Sequence, residues 1–98
     1  MPLTFDQTQT LIAAAHEHAR GAGLNVTVAV VDEGGLLKAL GRMDGAPPLS
    51  AQIAEAKAVG AAVWHRDGDK VLGAVGVSGA RPDQDRACAD AGLAAVLG

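Results

Sequence analysis

The chain has 98 residues, of which 49% are hydrophobic and only 2% aromatic, and its 8 basic and 11 acidic residues give a formal charge of −3. This length predicts one domain spanning residues 1–98. The balanced charge argues against nucleic-acid binding and against attachment to a membrane surface, because both require a dense cationic face.

The expected core is thin, because alanine and glycine dominate the apolar residues and Phe5 and Trp64 are the two aromatic residues. A chain this short buries only about 60–65% of the surface that it exposes when unfolded. Either the fold is therefore very regular, or subunit interfaces supply additional burial. The single cysteine, Cys88, excludes an intramolecular disulfide and any cysteine-rich metal site.

No apolar run approaches the ~20 residues that span a bilayer. The first residues also lack the basic and then apolar order of a signal peptide. We therefore expect a cytoplasmic protein.

The first half of the chain predicts a helix followed by a hairpin. Thr4 and Gln7 fit a capping box at the start of a helix over residues 5–21, with apolar residues at helical spacing. The β-branched run 25–32 predicts a strand, and a turn then leads to a second strand over 36–43.

A second helix follows a loop that contains two prolines. Ser50 is expected to cap this helix, which is predicted to end near Gly60. Its buried side is predicted to be formed by Ile53, Ala54, Ala58, Ala61 and Ala62.

The remaining residues predict a second hairpin and a last helix. A short third strand is expected within 61–66, a turn at 67–69 and a fourth strand over 70–77. A helix with Pro82 in its first turn is expected to run to about Val96. The order α-β-β-α-β-β-α indicates an α+β fold with an antiparallel sheet flanked by helices.

Candidate binding groups lie at the ends of these elements. The glycine-rich run 73–79 leads into a helix N-terminus, where backbone N–H groups can hold an anion, although close backbone packing is the favoured interpretation. Arg42 and Asp44 form either a surface ion pair or an anion clamp. Lys57 either extends to water or acts in a cleft as an anion partner or acid–base group.

Three further groups have simpler interpretations. His16 and His18 cannot chelate one metal together. His18 is expected nearer the apolar stripe, where a half-buried or surface imidazole is the favoured interpretation and an axial ligand for haem the alternative. The charged run 65–69 is interpreted as a solvated turn rather than a metal site. Cys88 is expected to be a small buried hydrophobe.

Four segments in this order resemble the GlcG/HbpS family, a domain formerly called DUF336 that includes the C-terminal domain of PduO-type proteins. The most specific segments are Arg42-Met43-Asp44-Gly45-Ala46 and Gly76-Val77-Ser78-Gly79 followed by Gln84-Asp85. The others are Val28-Ala29-Val30-Val31-Asp32 with Gly35, and Ile53-Ala54 with Lys57-Ala58.

The resemblance implies a profilin-like fold and oligomers built from dimers. It also implies haem binding or haem degradation, a sensor role, or a role beside glycolate and propanediol metabolism. Haem ligation in such relatives includes a histidine on the first helix, for which His18 is the match here and His16 the less favoured one.

The sequence departs from the family between the second helix and the third strand, where members usually carry a longer segment. Residues 58–64 pass almost directly into the hairpin, so one wall of the family's pocket is expected to be short. This favours a shallower site for a small anionic or polar ligand, a wall supplied by a partner subunit, or a sequence from which natural residues have been omitted.

Three functions remain open on these residues. The favoured one is an oligomeric module that binds haem or a small anionic metabolite through Arg42, Asp44, Lys57, Ser78, Gly79 and Asp85. The second is a cofactor-independent enzyme acting on a small oxo or hydroxy compound, with Lys57 or Asp44 as the acid–base group. The third is a structural or regulatory subunit without a ligand.

Overall fold

The computed structural model describes residues 3–62, 66–67, 70–71 and 73–97. The helices are α1 (Phe5–Gly21), α2 (Ser50–Ala62) and α3 (Pro82–Leu97). The strands are β1 (Thr27–Val31), β2 (Leu37–Arg42), β3 (Arg66–Asp67), β4 (Lys70–Val71) and β5 (Ala74–Ser78). Among these residues, no helix is both long and apolar enough to cross a membrane.

The main sheet has three antiparallel strands in the order β2-β1-β5. Ala29 at the centre of β1 lies opposite Leu40 of β2 on one side and opposite Gly76 of β5 on the other. β3 and β4 form a separate antiparallel pair. The predicted α+β fold, an antiparallel sheet flanked by helices, is therefore confirmed.

Both faces of the central strand are covered by helices, so every residue of β1 is buried. Val28 and Val30 point toward α1 and α3, in one apolar cluster with Leu11 and Ile12. Neighbouring residues of β1 point to the opposite face, where the second cluster consists of Ala29, Val31, Ala54, Ala58 and Ala74. The α2 side of the core is thus built almost entirely from alanine.

The start of α1 forms as its sequence predicts. The Thr4 hydroxyl accepts a hydrogen bond from the Gln7 N–H, and the Gln7 side chain accepts one from the Thr4 N–H. This reciprocal pair satisfies N–H groups that have no partner within the helix. The capping box and the bounds of this helix are therefore confirmed.

Ser50 at the start of α2 acts differently from the predicted cap. Its hydroxyl donates to the Pro47 carbonyl, so its single proton is in use. The Thr27 hydroxyl must then donate to the Ser50 oxygen, at 2.7 Å. Ser50 therefore links the first turn of α2 to β1 through its hydrogen bond with Thr27.

The second half of the chain departs from prediction in two places. Ala61 and Ala62 belong to α2 instead of to a strand, so α2 continues past Gly60. The predicted fourth strand is found as two strands, β4 and β5; Gly73, directly before β5, has a φ of 137°, and Leu72 lies outside the described residues. The β3–β4 hairpin is confirmed, although residues 63–65 and 68–69, which complete the predicted third strand and turn, lie outside the described residues.

The predicted buried side of α2 is confirmed at its centre, whereas the side chains of Ala61 and Ala62 lie outside the described part of the structure. Ala54 and Ala58 are fully buried, whereas Ile53 is 44% exposed. An alanine stripe suffices there because α2 lies unusually close to the sheet. A Cβ atom added to Gly76 of β5 would lie 2.1 Å from the Ala54 carbonyl oxygen and 2.6 Å from the Ala58 nitrogen.

This close approach predicts that Gly76→Ala destabilises the fold, because the new methyl group meets rigid helix backbone. We expect the free energy of unfolding to fall by about 1–3 kcal/mol or more in urea denaturation. Gly60→Ala in α2 is the matched control, since no atom of the described residues lies within 4 Å of its added Cβ. Its effect should be neutral or stabilising by up to ~1 kcal/mol. Equal effects of the two substitutions would contradict this packing.

Candidate functional site

Lys57 and Asp85 meet at the end of β5, although 28 positions separate them in the sequence. The Lys57 ammonium donates to an Asp85 carboxylate oxygen at 3.1 Å and to the Val77 carbonyl oxygen at 2.9 Å. The other Asp85 oxygen accepts the Ala80 N–H at 3.0 Å. The ion pair thus joins α2 to α3, and the further hydrogen bonds of its two partners reach β5 and the turn before α3.

The two partners differ in burial, with the Lys57 side chain 44% exposed and that of Asp85 7% exposed. An ammonium has three donors, so one N–H of Lys57 remains after the two hydrogen bonds. Lys57 is one of the residues that line a cleft of about 300 Å³ between α2, β5 and α3, hereafter the Lys57 cleft. The other lining residues are Val75, Gly76, Val77, Pro82, Asp85, Arg86, Ala89, Asp90 and Leu93.

The glycine-rich exit of β5 serves close packing, the favoured interpretation. Gly79 has a φ of 135°, and a Cβ atom there would lie 2.7 Å from the Asn25 carbonyl oxygen. The N–H groups beyond it have partners within the chain, since Ala80 donates to Asp85 and Arg81 to the Gln84 side chain. Ser78 is buried opposite Thr27.

Arg42 and Asp44 line a different cleft from Lys57 and Asp85. This second cleft, of about 460 Å³, lies where α1 and β2 end and β1 begins, and is hereafter the His16 cleft. It is lined by His16, Arg20, Asn25, Arg42, Met43 and Asp44. The structure therefore divides the predicted site residues into two groups.

His16 is fixed against the edge of the sheet. Its Nε2 lies 3.0 Å from the Gly41 carbonyl oxygen. Because a carbonyl can only accept, Nε2 must be the donor, and in the neutral ring Nδ1 then holds the lone pair. The absence of a side chain at Gly41 makes room for the ring, since an added Cβ would lie 2.9 Å from Cε1 of His16.

The expectation that His18 lies nearer the apolar side of α1 than His16 is wrong. His18 is exposed, whereas His16 is half-buried. Both flank the buried stripe, and the half-burial of His16 arises from its contact with β2, which helical spacing alone does not reveal. Arg20 was missed as a cleft residue, although its position one turn after His16 was a usable signal.

Among the described residues, no group of three or more His, Cys, Asp or Glu side chains is arranged to hold a metal ion. Most of the charged run 65–69 lies outside those residues. Cys88 is fully buried, as predicted, within the cluster shared by α1, α3 and the sheet. Burial and then the nearby Asp85 carboxylate raise the pKa of its thiol.

Lys57→Met should reduce the free energy of unfolding by about 1–3 kcal/mol, because it leaves the buried Asp85 carboxylate without its ammonium partner. The partial exposure of Lys57 keeps this below the cost of breaking a fully buried pair. Arg86→Met is the control, since Arg86 and Asp90 lie 3.9 Å apart with both side chains exposed. Its effect should stay within about 0.5 kcal/mol in urea denaturation. Similar losses in both variants would show that the Lys57 pair contributes no more than a surface pair.

The raised pKa of Cys88 predicts a loss of stability in mild alkali. A thiol in the unfolded chain ionises near pH ~8.5, whereas the native thiol keeps its proton to higher pH. The stabilising contribution is therefore complete below that pH and is lost as pH rises through the native pKa. Urea midpoints between pH 7 and 9.5 should fall more steeply for the wild type than for Cys88→Ala. Parallel profiles would contradict this assignment.

Comparison with known proteins places these observations in a family. Residues 3–68 and 60–94 match the family described as "Haem degrading protein HbpS-like". The two matched stretches overlap at residues 60–68, the region in which we expect the sequence to depart from the family pattern. Protein GlcG of Escherichia coli strain K12 is 40% identical over 65 residues, which are 66% of this chain and 48% of that protein. The match thus spans about half the length of this curated relative.

Solved structures share the whole fold. A double mutant of Streptomyces reticuli HbpS superposes with a TM-score of 0.90 at 30% identity, over 100% of this chain and 88% of that one. The PduOC:heme complex superposes with a TM-score of 0.88 at 25% identity, over 98% and 96% of the respective chains. On this combined evidence, the chain belongs to the HbpS-like, or GlcG/HbpS, family.

Proposed function

We propose that this protein is an oligomeric module that binds an anionic small ligand, and that haem is that ligand. The family description and the PduOC:heme complex support the choice of haem. The observation that carries the proposal is the His16 cleft, whose lining residues include His16, Arg20 and Arg42.

The hydrogen bond of His16 supports a role as an iron ligand. A histidine that binds a metal usually donates its other ring N–H to a carbonyl or carboxylate, which fixes the tautomer and the orientation of the ring. Nε2 of His16 makes such a bond to Gly41, so Nδ1 is the ring nitrogen with a lone pair for iron. Nδ1 has no hydrogen-bond partner among the residues that the structure describes.

The charges around the cleft fit a ligand with two carboxylates. Arg42 and Arg20 are both exposed, and Arg20 forms a surface pair with Glu17 that contributes little, so both guanidinium groups are available to a ligand. Guanidinium pairs with carboxylate through charge-assisted, often bidentate hydrogen bonds. The Met43 sulfur already accepts a hydrogen bond from the Val26 N–H at 3.4 Å, so we do not assign it as an iron ligand.

The size of the cleft favours a binding site that two subunits share. A cavity of about 460 Å³ lies in the lower half of the ~300–1,000 Å³ range of small-molecule sites. Bound haem would supply iron-centred ligand exchange and redox chemistry. The roles of this chain are to ligate through His16, to orient through Arg20 and Arg42, and to present the open side to another subunit.

The Lys57 cleft is the alternative site, for a small anionic metabolite. The remaining N–H of Lys57 and the exposed Arg86 are its available donors. We assign no acid–base pair to Lys57 and Asp44, because they line different clefts and the Lys57 ammonium is already bonded to Asp85 and Val77. Ser78, Gly79 and Asp85 then shape the turn beside this cleft.

Titration with haem tests the proposal. Wild-type protein should shift the Soret band, and His16→Ala should abolish or alter that shift. Arg42→Ala should weaken binding by about tenfold, the effect of one lost charged hydrogen bond.

Two variants serve as controls for this titration. His18→Ala, on the same helix, and Lys57→Met, in the other cleft, should bind as the wild type does. Loss of the shift in His18→Ala but not in His16→Ala would transfer iron ligation to His18. A wild type without any Soret shift would overturn the haem assignment.

A further inference from the structure

β2 is an edge strand of the main sheet and exposes large apolar side chains. In the order β2-β1-β5 it pairs with β1 alone among the described strands. Leu36, Leu37 and Leu40 are 70%, 45% and 37% exposed. An unpaired edge presents free N–H and C=O groups along its length, and such an edge beside apolar side chains is a template for another strand.

The exposed leucines lie on the face of the sheet that α2 covers only in part. Leu40 lies opposite Ala29 and Leu37 opposite Val31, and both partners belong to the alanine-rich cluster beneath α2. The buried side chains of α2 pack against β1 and β5, and no residue of β2 belongs to this buried cluster. Leu37 and Leu40 thus lie on the same face of the sheet as the cluster beneath α2, but they remain exposed.

We propose that β2 pairs antiparallel with β2 of a second copy of this chain, so that two three-stranded sheets join across a twofold axis. This interface rests on the oligomerisation that is part of the proposed function. An irregularity in the register at Lys38 leaves Ala39–Arg42 as the regular part of the edge. Leucines from both copies then cover each other on the face that α2 leaves open.

The distribution of charge selects a second copy in the antiparallel direction. β2 ends in the exposed Arg42, whereas the turn before it carries Asp32 and Glu33. Antiparallel pairing brings Arg42 of each copy toward the acidic turn of the other, whereas parallel pairing would align like charges. A lysine on an edge strand usually opposes pairing with another strand. Lys38 of β2 instead donates to the Leu3 carbonyl oxygen at 3.1 Å.

The same pairing gives each ligand cleft a second wall. Arg42 and Asp44 line the His16 cleft at the end of β2. In an antiparallel pair, the β1–β2 turn of the partner subunit lies beside this end. The dimer therefore extends a cleft that the single chain leaves open.

The mass of the protein in solution tests the interface. Light scattering after gel filtration should give wild-type protein a mass at least twice the 9.8 kDa of one chain. Leu40→Lys places a charge in the interface and should reduce the mass by half or more. Leu49→Lys is the matched control, because Leu49 is 63% exposed and lies outside β2, and it should keep the wild-type mass.

Hydrogen exchange on the same variants distinguishes loss of the interface from misfolding of the chain. The β2 amides should exchange faster in Leu40→Lys, whereas the α1 and β1 amides should keep their protection. A monomeric wild type, or a Leu40→Lys variant with unchanged mass and unchanged β2 exchange, would overturn the interface. A wild type that fails to bind haem but retains its mass would overturn the haem assignment alone.

Discussion

The close approach of α2 to β5 is the constraint on which the rest of the molecule depends. Gly76 has no side chain, so the backbone of α2 at Ala54 and Ala58 lies directly on the strand. The same approach brings Lys57 within hydrogen-bond distance of Val77 and Asp85. A larger residue at this contact would lift the helix and separate the ion pair that joins α2 to α3.

The fold uses its charged groups for two different purposes. In the Lys57–Asp85 pair, Asp85 is buried and both of its carboxylate oxygens accept hydrogen bonds. The pair therefore acts first as a structural link between α2, β5 and α3. Arg42 and Asp44 are exposed beside a histidine that the sheet holds in place. Geometry therefore favours the His16 cleft for binding, although the family-like motifs contribute residues to both clefts.

The thin core and the proposed assembly have one physical origin. Alanine and glycine allow close packing, but they bury little apolar area per residue. α2 covers the alanine side of β1 and β5 and leaves the leucines of β2 exposed. Pairing of two β2 strands in a dimer would bury these leucines beside the His16 cleft. The same interface would then contribute to both stability and ligand binding.

Much of the fold could be predicted because local sequence signals decide it. The capping box at Thr4, the β-branched run of β1 and the turn after Asp32 act within a few residues, and all three formed as predicted. The division at Gly73 was missed, because it depends on a part of the chain far away in sequence: Gly73 has a φ of 137°, and a Cβ atom added there would lie 2.7 Å from the Val31 carbonyl oxygen. Residue identity shows that glycine permits this conformation, not that it adopts it.

The sequence by itself determined the family, the antiparallel sheet and the chemical types available for binding. Only the tertiary structure decided which of those groups meet. It joined Lys57 to Asp85, separated both from the cleft of Arg42 and Asp44, and turned His16 rather than His18 toward the sheet. The reason is that pairing across strands and helix packing bring together residues far apart in the chain, and one-dimensional spacing does not encode those distances.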